Sequence, residues 1–385
     1  MFINFWYPVL QSKDLGVEPL KRRMLGQDFV IFRDEGGQAN VLSNTCVHRG
    51  GSLADGKIKG DCIQCPYHGW EFNGKGECTR IPSLGPNSRI PVRTNVDAYP
   101  VKEKYGLVFA FLGDLPESER PPMMEIPEFE SEQWRATYIE YFVPINYERS
   151  IENGLDPAHN EFVHPSHGFS GENPEYKVND LRWIGDGKWG PAFFHRFKSP
   201  AARDDKKWAT VKAANDSREA GSGTFGPNHM WTYINFTEEK GLHQYMYECP
   251  VDDTHTNIFL VNLRNVFLEP DEDKRMNDRN WQVVSQDIKV LTDLRPRITP
   301  ESNSKEFMLP HDLPILRYRE KLSEFENLGW RIDSDAIANQ EDNAAFAIPS
   351  PQRRERKGWV LDTVPLIDPK ESSDRSEGVR KEAAG

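Results

Sequence analysis

The first third of the chain is a succession of short β-rich runs. Residues 28–33 and 39–42 are dense in Phe, Val, Ile and Leu and flank Asp34-Glu35-Gly36-Gly37, which predicts a hairpin on a glycine turn. Short strands and turns continue to about Leu112, at Gly50-Gly51, Asp55-Gly56, Gly69, Asn73-Gly74 and Gly85-Pro86, so a small antiparallel β domain is expected over residues 1–120. Residues 114–132 are rich in proline and acid and form a connection, with a boundary near Pro121. Beyond it Ile151, Leu155, Ala158 and Phe162 recur at helical spacing, which predicts one helix of about five turns. Residues 199–225, charged and carrying Gly221-Ser222-Gly223, read as a loop or flap. Residues 230–236, 242–249 and 257–267 have the aromatic and β-branched content of strands, and Val284, Ile288 and Leu291 return to helical spacing. A last helix is expected over residues 316–328. The pattern is α+β: an antiparallel β domain, then a helix-on-antiparallel-sheet domain over residues 121–367. The polar stretch 368–385 is expected to be disordered.

Composition narrows the classes. The chain has 385 residues and a net charge of -12, which disfavours a polyanionic partner such as nucleic acid. No apolar run is long enough to span a bilayer, and the start Met1-Phe2-Ile3 lacks a basic n-region, so a soluble, cytoplasmic protein with no membrane partner is expected. The cysteines are five, Cys46, Cys62, Cys65, Cys78 and Cys249, an odd number that does not suit a disulfide framework.

Two of those cysteines carry chemistry. Cys46-Val47-His48 and Cys65-Pro66-Tyr67-His68 each offer one thiolate and one imidazole from a loop. The interleaved pairing resembles the Rieske cluster motif, in which one iron of a [2Fe–2S] centre takes both cysteines and the other both histidines; in an extended backbone Cys46 and His48 point to one side, as that arrangement needs. A [2Fe–2S] centre with two cysteines on one iron and two histidines on the other has its potential raised to about −150 to +300 mV. Tetrahedral zinc also takes two cysteines and two histidines, but zinc fingers group like with like and here the types interleave. Cys62, Cys78 and Cys249 read as packed residues.

A second constellation lies on the helix predicted after the connection: Asn153, Asp156, His159 and His164. His159 and His164 are five apart, about 140° round a regular helix, so both reach one metal only if the helix is distorted. Pro157 and a π-bulge are the candidates for that distortion.

With both motifs in this order, the chain resembles the Rieske non-haem iron oxygenases in their catalytic α-subunit, closest to the α-only monooxygenase and demethylase branch. The resemblance implies an N-terminal Rieske domain and a catalytic domain in which His159, His164 and an aspartate hold mononuclear Fe(II) as a facial triad. Asp287, three after Val284 and four before Leu291, is the aspartate it indicates, with Asp293 as substitute. It makes Asp156 the bridge between a cluster histidine of one subunit and an iron histidine of the next in a head-to-tail homotrimer, and puts Asn153 close to the iron. The implied reaction uses O₂ to hydroxylate or oxidatively demethylate a small, aromatic or cyclic organic substrate; ring cis-dihydroxylation and a non-catalytic Rieske electron carrier are the alternatives. No nucleotide or flavin fingerprint is present, so electrons are expected from a separate ferredoxin or NAD(P)H-dependent reductase. Arg353, Arg354, Arg356 and Lys357, and Lys57 and Lys59 near the first cluster loop, are the candidate basic docking patches, with an ordinary solvated charged surface as the alternative for both. Trp231, Asn235 and Tyr247, from an alternating series with Tyr233 and Tyr245, are the expected substrate residues.

Overall fold

The computed structural model describes residues 1–179, 181–198, 207, 211, 217–340 and 343–369. The expected tail 368–385 lies outside the described residues except for its first two positions. Two compact units emerge: Met1–Met123 with Cys249–Asp253 and Leu328–Pro369, and Met124–Glu248 with Thr254–Asn327.

The first unit is built from short antiparallel strands. β1 (Phe5–Gln11) pairs with β11 (Leu107–Leu112), which pairs with β10 (Val101–Lys104); β2 (Leu20–Met24), β3 (Gln27–Arg33), β4 (Ala39–Ser43) and β9 (Ala98–Tyr99) form a second sheet. The expected hairpin is β3–β4, with Phe29 opposite Ser43 and Arg33 opposite Ala39. A third sheet is β5 (Lys57–Lys59), β6 (Cys62–Gln64), β7 (Glu71–Asn73) and β8 (Cys78–Arg80); the Cys65–His68 loop joins β6 to β7, and the Cys46–His48 loop lies on the connection from β4 to β5. The core of this sheet joins Leu53, Ile63, Phe72 and Val96 to Cys46, Cys65 and Cys78.

The first segment of this unit ends at Met123, and the C-terminal stretch, expected in the second domain, belongs to the first unit. Residues 328–369 return to the first unit. Ile3 N–H donates to Trp330 C=O at 2.9 Å, Phe5 meets the Trp330 ring edge-on, and Tyr99 Oη donates to Ile348 C=O at 2.7 Å. Arg353 forks onto buried Asp97 with two bonds of 2.7 Å. Arg354 and Arg356 pair with Asp114 and Glu77, so three of the four cations in the 353–357 candidate cluster are engaged within the unit.

The second unit is a seven-stranded sheet in the order β12 (Arg135–Val143), β18 (Thr256–Arg264), β17 (Gly241–Pro250), β16 (His229–Asn235), β15 (Ser217–Phe225), β14 (Gly190–Lys198), β13 (Arg182–Gly187). It is covered by helices α1 (Tyr147–Leu155), α2 (Asn160–Val163), α3 (Glu272–Leu291) and α4 (Leu313–Asn327). Of residues 199–225, expected to be a loop or flap, 217–225 are strand β15, and the rest apart from Lys207 and Val211 lie outside the described residues. The glycines of β15 are packing features: a Cβ at Gly221 would stand 2.6 Å from the Phe194 ring, and one at Gly223 2.6 Å from the Trp231 ring, both cross-strand neighbours. None of the helices among the described residues is long and apolar enough to cross a membrane.

Candidate active site

The two cluster loops share one backbone pattern. Cys46 C=O accepts from Gly50 N–H at 2.9 Å and Cys46 N–H donates to Gly51 C=O at 2.8 Å; Cys65 repeats this with Gly69 at 3.0 Å and Trp70 at 2.8 Å. These are tight turns, not the extended segments expected from the motif, and each closes on a glycine at positive φ, +71° at Gly50 and +72° at Gly69. A Cβ at Gly51 would lie 3.1 Å from Cys65 Sγ, a tight contact that would press on the thiol. The sulfurs are buried while both histidines are exposed, with ring centroids 4.3 Å apart and His48 stacked on Trp70 at 4.7 Å. Burial pushes the Cys46 thiol up, and the neighbouring Cys65 adds to the effect. Two adjacent buried thiols ionise only against cations, so the donor set fits an iron–sulfur centre with its histidine edge outward. Cys62 contacts Thr79 and stands outside the set.

The predicted long helix is broken where the metal chemistry needs it broken. α1 starts at its cap Asn146, whose side chain accepts from Glu148 and Arg149 N–H, and ends at Leu155. Asp156 precedes Pro157, and the proline ring disfavours a helical conformation there; Asp156 adopts φ −92°, ψ 111°. Asp156 Oδ1 then accepts from Ala158 N–H at 2.6 Å, and the chain turns back into the short α2, with His159 before it and His164 after it. Phe162, expected on a buried stripe, is 64% exposed because that stripe ends with α1.

This break brings the two imidazoles together. His159 Nε2 and His164 Nε2 are 3.2 Å apart, and Asp287 Oδ1, from α3, lies 3.3 Å from His164 Nε2 and 3.7 Å from His159 Nε2. The other ring nitrogens are committed. His159 Nδ1 lies 2.6 Å from Asp156 C=O and His164 Nδ1 3.1 Å from Gln286 Oε1, so each donates there and leaves an Nε2 lone pair facing the centre. Asn153 hydrogen-bonds the Asp287 carboxylate, whose Oδ1 is buried and has no hydrogen-bond partner among the described residues. Burial raises the Asp287 carboxyl and lowers His159. Three donors converging without protons between them fit a divalent cation. Asp156 is likewise raised by burial.

A cavity of about 240 Å³ opens beside this triad, smaller than the roughly 300–1,000 Å³ of drug-sized ligand pockets. Its sheet wall is the even-numbered face, Met230, Thr232, Ile234, Leu242, Gln244 and Met246. Trp231, Asn235 and Tyr247, expected to meet substrate, are not among its lining residues. Alternation puts them on the opposite face, where Trp231 fills the space over Gly223 and Tyr247 packs edge-on to His229. Reading the sequence also missed Gln286, Asn280 and His195. His195 alternates with Phe193 and Phe197 on β14, a period-two signal that was available; all three line the cavity, and burial pushes the imidazole down to about 4.

Known proteins agree with this architecture. Residues 5–100 match the Rieske [2Fe-2S] domain family and residues 143–327 the vanillate O-demethylase oxygenase C-terminal domain family. The chain belongs to the Rieske non-haem iron oxygenases. It is similar to the 5,5'-dehydrodivanillate O-demethylase oxygenase subunit of Sphingobium sp., 26% identical over 260 residues, which covers 65% of this chain and 55% of that protein. Chlorophyllide a oxygenase of Chlamydomonas reinhardtii is 30% identical over 325 residues, 82% of this chain and 47% of that one. The chain thus spans about half the length of these curated relatives. The fold is shared with the caffeine complex of NdmA from Pseudomonas putida CBB5 (TM-score 0.69, 24% identity, 84% of this chain and 91% of that one). It is shared equally with dicamba monooxygenase bound to non-haem iron and dicamba (TM-score 0.69, 21% identity, 84% and 97%).

Proposed function

We propose that the protein is a terminal oxygenase that hydroxylates or oxidatively demethylates a small, compact organic molecule. The observation that carries this reading is the convergence of His159, His164 and Asp287 on the wall of a largely apolar cavity. Cys46, His48, Cys65 and His68 hold the [2Fe–2S] cluster, and the triad holds Fe(II). Bound there, the two groups supply one-electron transfer and O₂ activation. The chain's own part is positional. Asn153 fixes the Asp287 carboxylate, Asp156 C=O and Gln286 fix the imidazole tautomers, and the apolar walls keep water from the substrate. The match to a demethylase C-terminal domain favours monooxygenation over ring dihydroxylation.

The exposed histidine edge of the cluster supports docking against another surface. We assign Asp156 as the joint to a neighbouring subunit in a homotrimer, with a ferredoxin or NAD(P)H-dependent reductase as donor and the cytoplasm as the setting. Iron and acid-labile sulfide analysis with EPR tests the reading: about three irons and two sulfides per chain are expected. His159→Ala should lose about one iron and all substrate-coupled O₂ uptake while keeping its sulfide. Retention of that iron would remove the triad from the mechanism.

A further inference from the structure

On β16 and β17 the cavity face is apolar except for one cross-strand row, which Ser222 of β15 extends; Arg218 on β15 and His195 and Arg196 on β14 also line the cavity. Ser222 on β15 stands opposite Thr232 on β16, which stands opposite Gln244 on β17, and all three line the cavity. The row on one side is Ala220, Ile234 and Leu242, and Met230 and Met246 lie on the other. The Ser222 and Thr232 hydroxyls are 3.2 Å apart. Gln244 Nε2 donates to Asn262 Oδ1 at 3.2 Å and, more weakly, to Asn280 Oδ1 on α3 at 3.5 Å.

This row ends in polar atoms left open. Asn280 lines the cavity and is 5% exposed, yet its Nδ2 has no hydrogen-bond partner among the described residues; Asn262 Nδ2, at 1% exposure, has none either. Buried amides are rarely left unsatisfied, because each such group forfeits its hydration without recompense. Asn280 precedes Asp287 by seven residues, two turns along the same face of α3 and about 10 Å along its axis. Val283 and Val284 wall the cavity between them. Arg196, Arg218 and Arg279 line other parts of the cavity; Arg218 is four residues from Ser222, about 13 Å along the strand, so the row itself carries no formal charge.

Resting on the oxygenase reading, we propose that Ser222, Thr232, Gln244 and Asn280 form the specificity-determining subsite, and that the substrate is a ring-sized apolar molecule bearing an uncharged acceptor oxygen, above all a carbonyl, about 10 Å from the oxidised carbon. Asn280 Nδ2 and the hydroxyl pair donate to that oxygen. Its anchoring decides which carbon faces the triad.

Anaerobic titration calorimetry on the iron-loaded, full-length protein tests this with 4-methoxyacetophenone, its carbonyl-free counterpart 4-ethylanisole, and 4-methoxybenzoate. The ketone is expected to bind about tenfold more tightly than the ethyl compound. Asn280→Leu should bring that ratio to within about twofold without lowering Tm, since it removes an unsatisfied amide; a structural asparagine would lower it. Thr232→Val, nearly constant in volume, should cut the ratio by about threefold and serves if the leucine variant does not fold. Equal binding of ketone and ethyl compound overturns the proposal, as does a ratio unchanged in both variants, tightest binding by the benzoate, or binding by none of the three. Binding is read without turnover. A protein that keeps the selectivity but consumes no O₂ with its reductase defeats the oxygenase reading alone, and one that turns over without selectivity defeats the subsite alone.

Discussion

At the scale of single residues, the triad is shaped by partners that carry no metal-ligand chemistry of their own. Gln286 is the clearest case: its Oε1 takes His164 Nδ1 at 3.1 Å and is itself held by Ser166 Oγ at 2.9 Å. Removing such a partner frees the ring to rotate and to change tautomer, which weakens metal binding by about 10–100-fold. Gln286→Leu is therefore expected to lose mononuclear iron to a competing chelator at lower chelator concentration while its acid-labile sulfide stays at the wild-type level. Iron retention equal to wild type would show that helix packing alone orients His164. Nothing in the sequence marks Gln286, because a glutamine beside an aspartate on a helix is ordinary until the fold sets His164 against it.

At the scale of elements, α1 is anchored by a closed ring of buried ions. Arg149 bonds Glu152 at 2.9 Å and Glu306 at 2.8 Å, and Arg319 of α4 bonds the same two carboxylates at 2.6 Å each. Arg149, Glu152 and Arg319 are all under a tenth exposed. Taking one partner from such a set leaves a buried charge uncompensated, so Glu152→Ala should cost about 3–5 kcal/mol in denaturant unfolding. The exposed Lys274–Asp278 pair on α3 is the control: Asp278→Ala should change stability by about 0.5 kcal/mol or less. Similar losses in both variants would mean the ring is no more than a surface contact. The break after α1 belongs to this scale too. Spacing alone predicted a continuous helix, and the demand that His159 and His164 meet pointed to Pro157; the proline acts on the residue before it, Asp156.

At the scale of the whole molecule, pH dependence reports a carboxyl that the fold keeps neutral. Glu248 is buried, and burial pushes it from an ordinary 4.5 to about 8, against the lowering effect of the Ser150 hydroxyl. Between those values the unfolded chain has lost this proton and the folded chain keeps it. The group's contribution to stability is therefore full below pH 4.5 and is lost as pH rises toward 8. Glu248→Gln, neutral in both states, should raise Tm over wild type by about 2 °C or more near the upper end of that window and leave it unchanged near the lower. Parallel Tm–pH curves for the two proteins would show that Glu248 ionises in the folded state.

The sequence by itself determined which candidate donors lie close together. Cys46-Val47-His48, Cys65-Pro66-Tyr67-His68 and the Asn153–His164 stretch are each short enough that the donors arrive on one turn or one broken helix, so residue types and spacing suffice to propose both centres, while Asp287 enters only through the family resemblance and the fold. Tertiary structure decided what local spacing cannot express. The strands β16 and β17 carry large side chains on both faces, Trp231 and Tyr245 on one, Met230 and Met246 on the other, and only the helices packed on the sheet decide which face bounds the cavity. Residues 328–369 join the first unit through a few backbone bonds and one buried ion pair, contacts with no periodic signature. The open amide of Asn280 is a property of its surroundings, and no sequence pattern distinguishes an asparagine whose donors are satisfied from one whose donors are not.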